Sequence, residues 1–395
     1  MIDSIKKVDV ERIYQHVMLI EGVKHPIVNP ERLDEAADYI KSEFEKYGLN
    51  TNEQTFKIEG SDMTFKNIEG YIGDGSQPEI LVTSHYDTTR NTPGANDNGS
   101  AVAAMLEAAR VLASEENPGN VRFVSFTLEE LQPTLVQLSR DKGLELGIID
   151  EDYRYTSYHT HKMIKKFFSK VSVRLSKGKS SLESWEKSFD EIKDELTDSE
   201  RKYCECIMKS RSKFTRTSWV GGLALVGSDH WVKQAIKEKR EIKGVINLET
   251  IGYTSKRKNS QFLPPLMHPI IFPSYKVKAR KRIGDFISVV SDKNSKELGK
   301  LFCKKCKLEG IKLPYLWARI PLRFEKIAKW LMDTLRSDHA PFWRKNIPAL
   351  MITDTANFRY PYYHTEADTI DKLDFDFIMK VTQATIATVL EFSLL

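Results

Sequence analysis

Residues 79–100 constrain the fold most, because they join a short apolar run to a turn of small and polar residues. Ile80–Val82 is typical of a buried strand. His85 and Asp87 follow two residues apart, so their side chains leave an extended backbone on the same side. Asp97 stands inside the turn Pro-Gly-Ala-Asn-Asp-Asn-Gly-Ser. A histidine with carboxylates at the carboxyl end of a strand lies where open α/β sheets place their ligands, and this set suits zinc.

The bulk composition sets the class of protein. The chain has 395 residues, of which 41% are hydrophobic, so it can hold one large domain or two ordinary ones. A net charge of +5 is weak evidence for an anionic partner, and we expect no nucleic-acid partner. No apolar run is long enough to cross a membrane, and no membrane partner is expected. The N-terminus shows no secretory signal, and four cysteines fit a reducing compartment, so we expect a cytoplasmic protein.

Two smaller groups of metal-binding residue types lie elsewhere in the chain. The cysteines form the pairs Cys204-x-Cys206 and Cys303-x-x-Cys306, and His159-x-His161 lies between them and the first motif. A four-cysteine zinc site is one interpretation of the pairs, but plain thiols on helices are favoured. The two histidines lack a carboxylate at a strand end, so a surface position is favoured for them.

Periodicity and capping residues predict an alternation of strands and helices. Asn29 and Pro30 begin a helix that Gly48 ends. Two antiparallel strands should follow, and then strands of the buried type alternate with helices. The predicted elements are strands at 52–59, 63–72, 79–84, 121–126, 244–249 and 347–353, and helices at 100–114 and about 374–394. This order predicts an α/β fold with a mixed, mostly parallel central sheet and helices on both faces.

Residues 131–222 break this alternation and read as a helical insertion. An apolar stripe with helical spacing runs over Leu182–Leu196, a second helix should begin at Asp198-Ser199, and Tyr158–Phe168 suggests a third. Residues 1–130 and 223–395 then form the main domain. The apolar stripes must be buried against the main domain, against each other or against a second subunit.

Five candidate metal ligands follow predicted strands or lie in adjoining loops. They are His85, Asp97, Glu130, Glu249 and His364. Two histidines and three carboxylates are a set that holds two zinc ions with one carboxylate bridging. A pair of metals about 3.5–4 Å apart can stabilise both the attacking and the leaving oxygen.

Two further residues complete the predicted chemistry. Glu129 precedes Glu130, and neighbours at a strand end point in opposite directions, so one can bind metal while the other takes a proton from the metal-activated water. Asp87 can accept the second N–H of the His85 ring and orient it.

These motifs together resemble the di-zinc exopeptidase family that includes bacterial leucyl aminopeptidases and glutamate carboxypeptidase. The resemblance covers roughly residues 15–130 and 223–393. It rests on motifs that share an order along the chain: Ser84-His85-Tyr86-Asp87, Gly94–Ser100, Glu129-Glu130, Gly227-Ser228, Ile246–Glu249, Ser337-Asp338-His339 and Tyr363-His364-Thr365.

The resemblance implies a role for each site residue. One zinc would take His85 and Glu249, the other would take Glu130 and His364, and Asp97 would bridge them. Glu129 would be the general base and then the proton donor to the leaving amine, while Asp87 would orient His85. Tyr363 matches a position that hydrogen-bonds the substrate carbonyl or the oxyanion in some members. The family also implies a cis peptide at Asp97-Asn98, and Asp338 and His339 would support the loop without binding metal.

The chain departs from the family pattern at two places. The ligand at position 249 is more often aspartate, so Glu249 adds a methylene that a backbone shift would have to absorb. The family also places the double glutamate within a few residues of a Gly-Ser pair, whereas here the insertion separates Glu130 from Gly227.

The resemblance implies a metal-dependent exopeptidase, and we expect an aminopeptidase that cleaves short peptides through a di-zinc-bridged hydroxide. The alternatives are a carboxypeptidase of the same fold, a glutaminyl-cyclase-like acyltransferase with one zinc, and an inactive scaffold that binds partners through the insertion. We expect the insertion to form a lid or wall of the substrate pocket. A dimer surface, and hence a homo-oligomer, is the next interpretation, and a passive decoration the last.

Overall fold

The computed structural model describes residues 2–73, 78–262 and 282–394. Within these ranges eight strands form one sheet. They are Asn50–Lys57 (β1), Thr64–Ile72 (β2), Glu79–His85 (β3), Val121–Phe126 (β4), Ile242–Glu249 (β5), Ile287–Ser291 (β6), Tyr315–Arg319 (β7) and Ala349–Thr353 (β8).

The sheet is mixed, and its central strands are parallel. The spatial order is β1-β2-β4-β3-β5-β8-β6-β7. Strands β4, β3, β5 and β8 pair in parallel, while β1 and β2 add an antiparallel ribbon at one edge. At the other edge β6 runs antiparallel to β8, and β7 runs parallel to β6. The predicted mixed, mostly parallel sheet is confirmed, and β6 and β7 are strands that the periodicity had not indicated.

Helices cover both faces of the sheet. The α-helices in the described residues are Ile2–Lys6 (α1), Val10–Ile20 (α2), Pro30–Lys46 (α3), Ala101–Ala113 (α4), Pro133–Glu145 (α5), Tyr158–Ser176 (α6), Ser181–Asp190 (α7), Asp198–Arg211 (α8), Val226–Lys237 (α9), Lys296–Cys306 (α10), Phe324–Trp330 (α11), His339–Arg344 (α12) and Phe375–Phe392 (α13). None of these helices is long and apolar enough to cross a membrane.

Side-chain alternation along each central strand divides the core into two layers. Ile80 and Val82 of β3 pack with α2, α3, α4, α10 and α13, whereas Leu81 between them packs with α9, α11 and α12. Successive side chains of a strand point to opposite faces, so a strand covered on both sides must be apolar throughout. This explains why the predicted buried strands are continuous apolar runs.

Most predicted boundaries in the main domain are confirmed within two residues. Helix α3 begins at Pro30, and the Asn29 side chain caps it by accepting the Arg32 backbone N–H. The helix expected at 100–114 is preceded by a π-helical turn at Ala95–Ser100. The cysteine pairs lie on separate helices, Cys204 in the insertion and Cys303 and Cys306 in the main core.

The insertion has an apolar core of its own. Helices α6, α7 and α8 bury side chains such as Phe167, Trp185 and Ile207 against one another. The apolar stripe at 182–196 is not one helix, because α7 ends at Asp190 and a 3₁₀ turn follows at Lys193–Glu195. Helix α5 was missed, although Pro133 at its first position is a start signal.

The two ends of the insertion meet beside the double glutamate. The backbone N–H of Gln132 donates to Leu223 O at 2.8 Å, and the N–H of Leu225 donates to Glu129 O at 2.9 Å. A side chain at Gly227 would place its Cβ 2.0 Å from Thr127 O, so only glycine permits this close approach. The chain therefore leaves and rejoins the main domain without separating β4 from its neighbours.

Candidate metal centre

The structure brings the five predicted ligands together at the carboxyl ends of neighbouring parallel strands. His85 ends β3, Glu249 ends β5, Glu130 follows β4, and His364 lies in the loop after β8. Two groups result, in each of which the ligand atoms lie within 4.8 Å of one another. His85, Asp97 and Glu249 form one, and Asp97, Glu130 and His364 form the other.

Asp97 stands between the two groups and presents one oxygen to each. Its Oδ1 lies 3.4 Å from His85 Nε2, and its Oδ2 lies 3.1 Å from His364 Nε2. On the outer sides, Glu249 Oε2 is 3.5 Å from His85 Nε2 and Glu130 Oε1 is 3.2 Å from His364 Nε2. Asp97 therefore has one carboxylate oxygen near each of the two histidines.

The donor atoms fit zinc. His85 Nε2 and Asp97 Oδ2 are buried and form no hydrogen bond within the residues that the structure describes. A buried polar atom without a partner is costly, and a bound ion removes that cost. Imidazole nitrogens and carboxylate oxygens are zinc ligands, so the residues that would hold zinc here are His85, Asp97, Glu249, Glu130 and His364.

A tight turn presents Asp97. Gly94 has a φ of 71°, and a Cβ there would lie 2.6 Å from Asp97 O. The peptide between Asp97 and Asn98 is cis, as the resemblance implied. Asn98 joins the turn to β5, because its Nδ2 donates to Leu248 O at 3.0 Å and its Oδ1 accepts the Thr250 N–H at 2.9 Å.

Asp368 holds the same turn from the other side, and the sequence analysis missed it. Its Oδ1 accepts the Asn96 N–H at 2.9 Å and the Tyr360 hydroxyl at 2.7 Å, while its Oδ2 accepts the Asp97 N–H at 3.1 Å. A single aspartate in a loop carries no sequence signal for such a contact over 271 positions.

Replacing Asp368 with alanine should weaken metal binding about 10–100-fold, because residues that orient ligands contribute that much to affinity. The turn would lose two backbone hydrogen bonds beside Asp97. Zinc affinity measured by competition with a chromogenic chelator tests this. Asp371→Ala, an exposed aspartate three positions away, is the matched control. Equal affinity in both variants would contradict the role given to Asp368.

A chain of buried hydrogen bonds positions Glu249. Ser337 Oγ donates a hydrogen bond to Glu249 Oε2 at 2.6 Å and accepts one from Asn247 Nδ2 at 2.7 Å. Thr83 of the neighbouring strand donates to Asn247 Oδ1 at 2.7 Å. The longer side chain at this position therefore reaches His85, and Ser337 fixes one of its carboxylate oxygens.

Asp87 contacts His85 differently from the prediction. His85 Nδ1 lies 3.2 Å from the backbone oxygen of Asp87 but 3.6 Å from its carboxylate, too far for a good hydrogen bond. The carboxylate instead accepts the N–H groups of Glu129 at 3.0 Å and Glu130 at 3.2 Å. Asp87 therefore orients the ring through its main chain and fixes the double glutamate through its side chain.

Glu129 is buried beside the ligand groups with a free carboxylate. The residue is 8% exposed, and its carboxylate forms no hydrogen bond within the described part of the chain. Burial raises the pKa of Glu129 well above its usual range, and the nearby His85 opposes this shift. Leu128 before it has a φ of 56°, a left-handed conformation that a branched side chain seldom adopts. Such backbone strain is concentrated at functional sites.

Tyr363 and His364 form the opposite edge of the site. Their rings stack with centroids 3.8 Å apart, and His364 adopts a φ of 58°. Tyr363 also lines a small cavity of about 60 Å³ with Glu249 and Arg336. Burial raises the pKa of Tyr363, so its hydroxyl keeps its proton and can donate.

His159, His161 and His339 do not join the ligand groups. His339 Nε2 lies 2.8 Å from Thr334 O, and its ring packs edge-on against Trp343, so it supports the loop as expected. Asp338 is buried near His85, and burial raises its pKa to about 7. In the insertion, His159 lies 3.0 Å from Glu200 and His161 stacks on Tyr155.

Zinc binding should release protons at pH 7. Burial lowers the pKa of both ligand imidazoles, but neighbouring carboxylates outweigh it. The pKa of His364 rises to about 10 beside Glu130 and Asp97, and the pKa of His85 rises well above its usual range beside Glu129 and Glu249. Both rings are therefore cationic in the metal-free protein, and a metal must displace a proton from each.

Titration calorimetry in buffers of different ionisation enthalpy measures this release. Because the rings are protonated below these raised pKa values, zinc affinity should fall about tenfold per pH unit for each proton released as the pH drops from 7 to 6. His364→Gln should release fewer protons. Binding with no proton release would contradict the assigned charge states.

Comparison with known proteins finds one matching family model. The model of peptidase family M28 matches residues 67–162 and 318–389. The first segment contains His85, Asp97, Glu129 and Glu130, and the second contains His364. Over these two segments, which together hold less than half of the chain, the protein is similar to peptidase family M28. The match supports a metallopeptidase, and Glu249 is the one candidate ligand that lies outside the two matched segments.

One curated relative and two solved structures resemble the chain. The chain is 41% identical over 96 residues to Aminopeptidase YwaD of Bacillus subtilis, a match that covers 23% of this chain and 21% of that protein. The LapA aminopeptidase of Legionella pneumophila shares the fold with a TM-score of 0.58 and 17% identity, over 99% of this chain and 74% of that one. A glutaminyl cyclase of Porphyromonas gingivalis shares it with a TM-score of 0.54 and 16% identity, over 98% and 99%.

Proposed function

We propose that this protein is a zinc-dependent aminopeptidase that removes the first residue of short peptides. The observation that carries the proposal is Asp97, whose two oxygens face two separate ligand groups. His85 and Glu249 would hold one zinc, and Glu130 and His364 the other. Two bound zinc ions would make a water molecule acidic enough to attack at neutral pH and would polarise the peptide carbonyl.

Glu129 is proposed as the general base. Its carboxylate is buried and without a hydrogen-bond partner in the described residues, and burial raises its pKa. A carboxylate with a raised pKa is a stronger base toward the attacking water. It takes the proton from the attacking water and then delivers it to the nitrogen of the leaving amine. Asp87 holds the main chain of this residue in place.

Tyr363 is proposed to donate its hydroxyl to the carbonyl oxygen of the scissile bond. The hydroxyl has no hydrogen-bond partner among the described residues and lies at the cavity that Glu249 also lines. A neutral donor in a water-poor site stabilises the charge that develops on this oxygen. The stack on His364 restricts its ring.

The alternatives receive less support from the site. A glutaminyl-cyclase-like acyltransferase would need one zinc, whereas the described residues contain two candidate ligand groups that share Asp97. A scaffold would not need the buried, unpartnered carboxylate of Glu129. A carboxypeptidase would use the same metal centre and differ in the end of the peptide that it binds.

Cleavage of matched peptides tests the proposal. We expect the zinc-loaded protein to hydrolyse a free-amine dipeptide at least about tenfold faster than its N-acetylated form, since one lost charged contact costs about that factor. Metal content of two zinc ions per chain should accompany the activity. Faster cleavage of the acetylated peptide would support the carboxypeptidase instead, and one zinc with no hydrolysis would support the cyclase.

A further inference from the structure

A second cavity lies between the main domain and the insertion, directly beside the metal centre. Its volume is about 260 Å³, below the ~300–1,000 Å³ of sites for drug-sized ligands, so it suits a group of residue size. Asp87, Arg90 and Glu130 line it from the main domain, and Arg140 and Arg211 line it from α5 and α8. We call it the arginine cavity.

Two of its three arginines have no acidic partner. Within the described residues no carboxylate lies within 4.0 Å of Arg90 or Arg211. Arg211 donates one long hydrogen bond to Ser139 at 3.4 Å, and its buried Nε has no partner. Arg140 faces Asp141 and Glu151 at 3.5 Å, but the side chains of these acids are 57% and 84% exposed, so both pairs are screened by water.

The other titratable groups of the cavity do not neutralise these charges. The Asp87 carboxylate is used by the N–H groups of Glu129 and Glu130, and Glu130 faces His364 in the metal centre. His25 is neutral at pH 7, because burial lowers its pKa to about 4. The cavity therefore has an excess of positive charge at a place partly removed from water.

Aromatic residues of the insertion complete the wall. The ring of Tyr153 lies under the guanidinium carbons of Arg90 at 5.3 Å and Arg140 at 5.4 Å, and Phe168 lies under Arg211 at 5.6 Å. Burial raises the pKa of Tyr203 to about 12, so its hydroxyl remains protonated and can donate. Planar guanidinium groups held on rings, with phenol donors beside them, are suited to bind a carboxylate.

We infer that the arginine cavity binds a carboxylate of the substrate on the leaving side of the scissile bond. This inference rests on the proposed function. Glu130 lines both the cavity and the metal centre, so a residue in the cavity adjoins the bond to be cut. The carboxylate has two sources, the C-terminus of a very short peptide or the side chain of an aspartate or glutamate at the second position. The insertion then selects substrates by charge.

Four dipeptide substrates with leucine first distinguish the sources. Leu-Ala carries a C-terminal carboxylate, Leu-Ala-amide carries none, and Leu-Asp-amide and Leu-Asn-amide differ only in the side-chain carboxylate. We expect kcat/KM for Leu-Ala to exceed that for its amide by at least about tenfold, or Leu-Asp-amide to exceed Leu-Asn-amide by that factor. The first result assigns the peptide terminus and the second assigns the side chain.

Variants of the arginines test the cavity itself. Arg211→Gln should lower kcat/KM for the preferred carboxylate substrate about 10- to 100-fold and change that for Leu-Ala-amide less than about threefold. Arg211→Lys should recover part of the loss, because it restores charge without the planar fork. Arg90→Gln on the main domain gives the same test if Arg211→Gln does not fold. Arg201→Gln, also on α8 but outside the cavity, is the matched control.

Binding provides a readout independent of turnover. The dissociation constants of the two members of the pair that shows the preference, Leu-Ala with its amide or Leu-Asp-amide with Leu-Asn-amide, are measured by calorimetry in a Glu129→Gln background. They should differ by about tenfold and converge when Arg211→Gln is added. Equal rates and equal affinities for both members of both substrate pairs would overturn the inference and leave the aminopeptidase proposal standing. Failure to cleave any free-amine peptide would contradict the aminopeptidase proposal, while the binding comparison would still decide on the cavity.

Discussion

Replacing Glu129 with glutamine is expected to lower kcat about 10²–10⁴-fold, the range for removal of a general acid-base group. Glutamine keeps the shape of the side chain but cannot accept the proton of the attacking water. Because Glu129 belongs to neither described ligand group, zinc should remain bound. Steady-state kinetics on a free-amine dipeptide, with metal analysis of the same sample, checks both expectations.

Glu366→Gln is a suitable control for Glu129→Gln, since this glutamate is exposed and lies two residues beyond His364. It should retain normal activity. A Glu129→Gln protein that keeps both its metal and most of its activity would remove this residue from the mechanism. Loss of metal would instead indicate that it acts as a ligand.

Asp97→Asn should have the second large effect, because both ligand groups share this one carboxylate. An amide removes the negative charge that faces His85 at 3.4 Å and His364 at 3.1 Å. We expect zinc content to fall from two ions per chain to less than one. Activity should fall about 10³-fold or more, since several kcal/mol of charge stabilisation would be lost.

His364→Ala provides the comparison, because it removes a ligand from one group only and should leave the other group with its metal. Asp376→Asn, at an exposed position of α13, controls for the loss of an acidic side chain. Near-ultraviolet circular dichroism confirms that each variant is folded. An Asp97→Asn protein with two tightly bound zinc ions would rule out a bridging role.

Local signals in the sequence were sufficient for the central strands and their ligands. The continuous apolar runs at β3, β4, β5 and β8 arise because these strands are covered on both faces. Residues at their carboxyl ends must then meet at one edge of the sheet. The convergence of His85, Glu130 and Glu249 could therefore be anticipated from strand order and parallel direction alone.

Periodicity predicted the secondary structure less well where residues in different backbone conformations pack into the same apolar cluster. In the insertion, Ile192 and Leu196 pack into the same core as Trp185 and Phe189, although the helix has already ended. The apolar spacing at 182–196 therefore reflects which side chains are buried and does not by itself indicate a helix. The short strands β6 and β7 at the sheet edge were missed for a related reason, since five-residue segments carry little periodic signal.

Contacts between distant segments could be found only in the folded chain. Asp368 binds the turn of Asp97, Ser337 binds Glu249, and the carboxylate of Asp87 binds the main chain of the double glutamate rather than the ring of His85. Each is a hydrogen bond between segments whose relative position depends on how whole elements pack. The sequence around a single polar residue in a loop does not predict which residue it will contact.

The sequence alone determined the ligand types, their order along the strands and the family that they indicate, because these follow from residue chemistry and from the periodicity of buried strands. Tertiary structure alone decided that Asp97 stands between two ligand groups and that Arg90 and Arg211, 121 positions apart, line one cavity with Glu130. The physical reason is that the residue pattern of a strand or helix indicates which of its faces is buried. A shared cavity depends instead on the relative placement of a main domain and an insertion with separate cores.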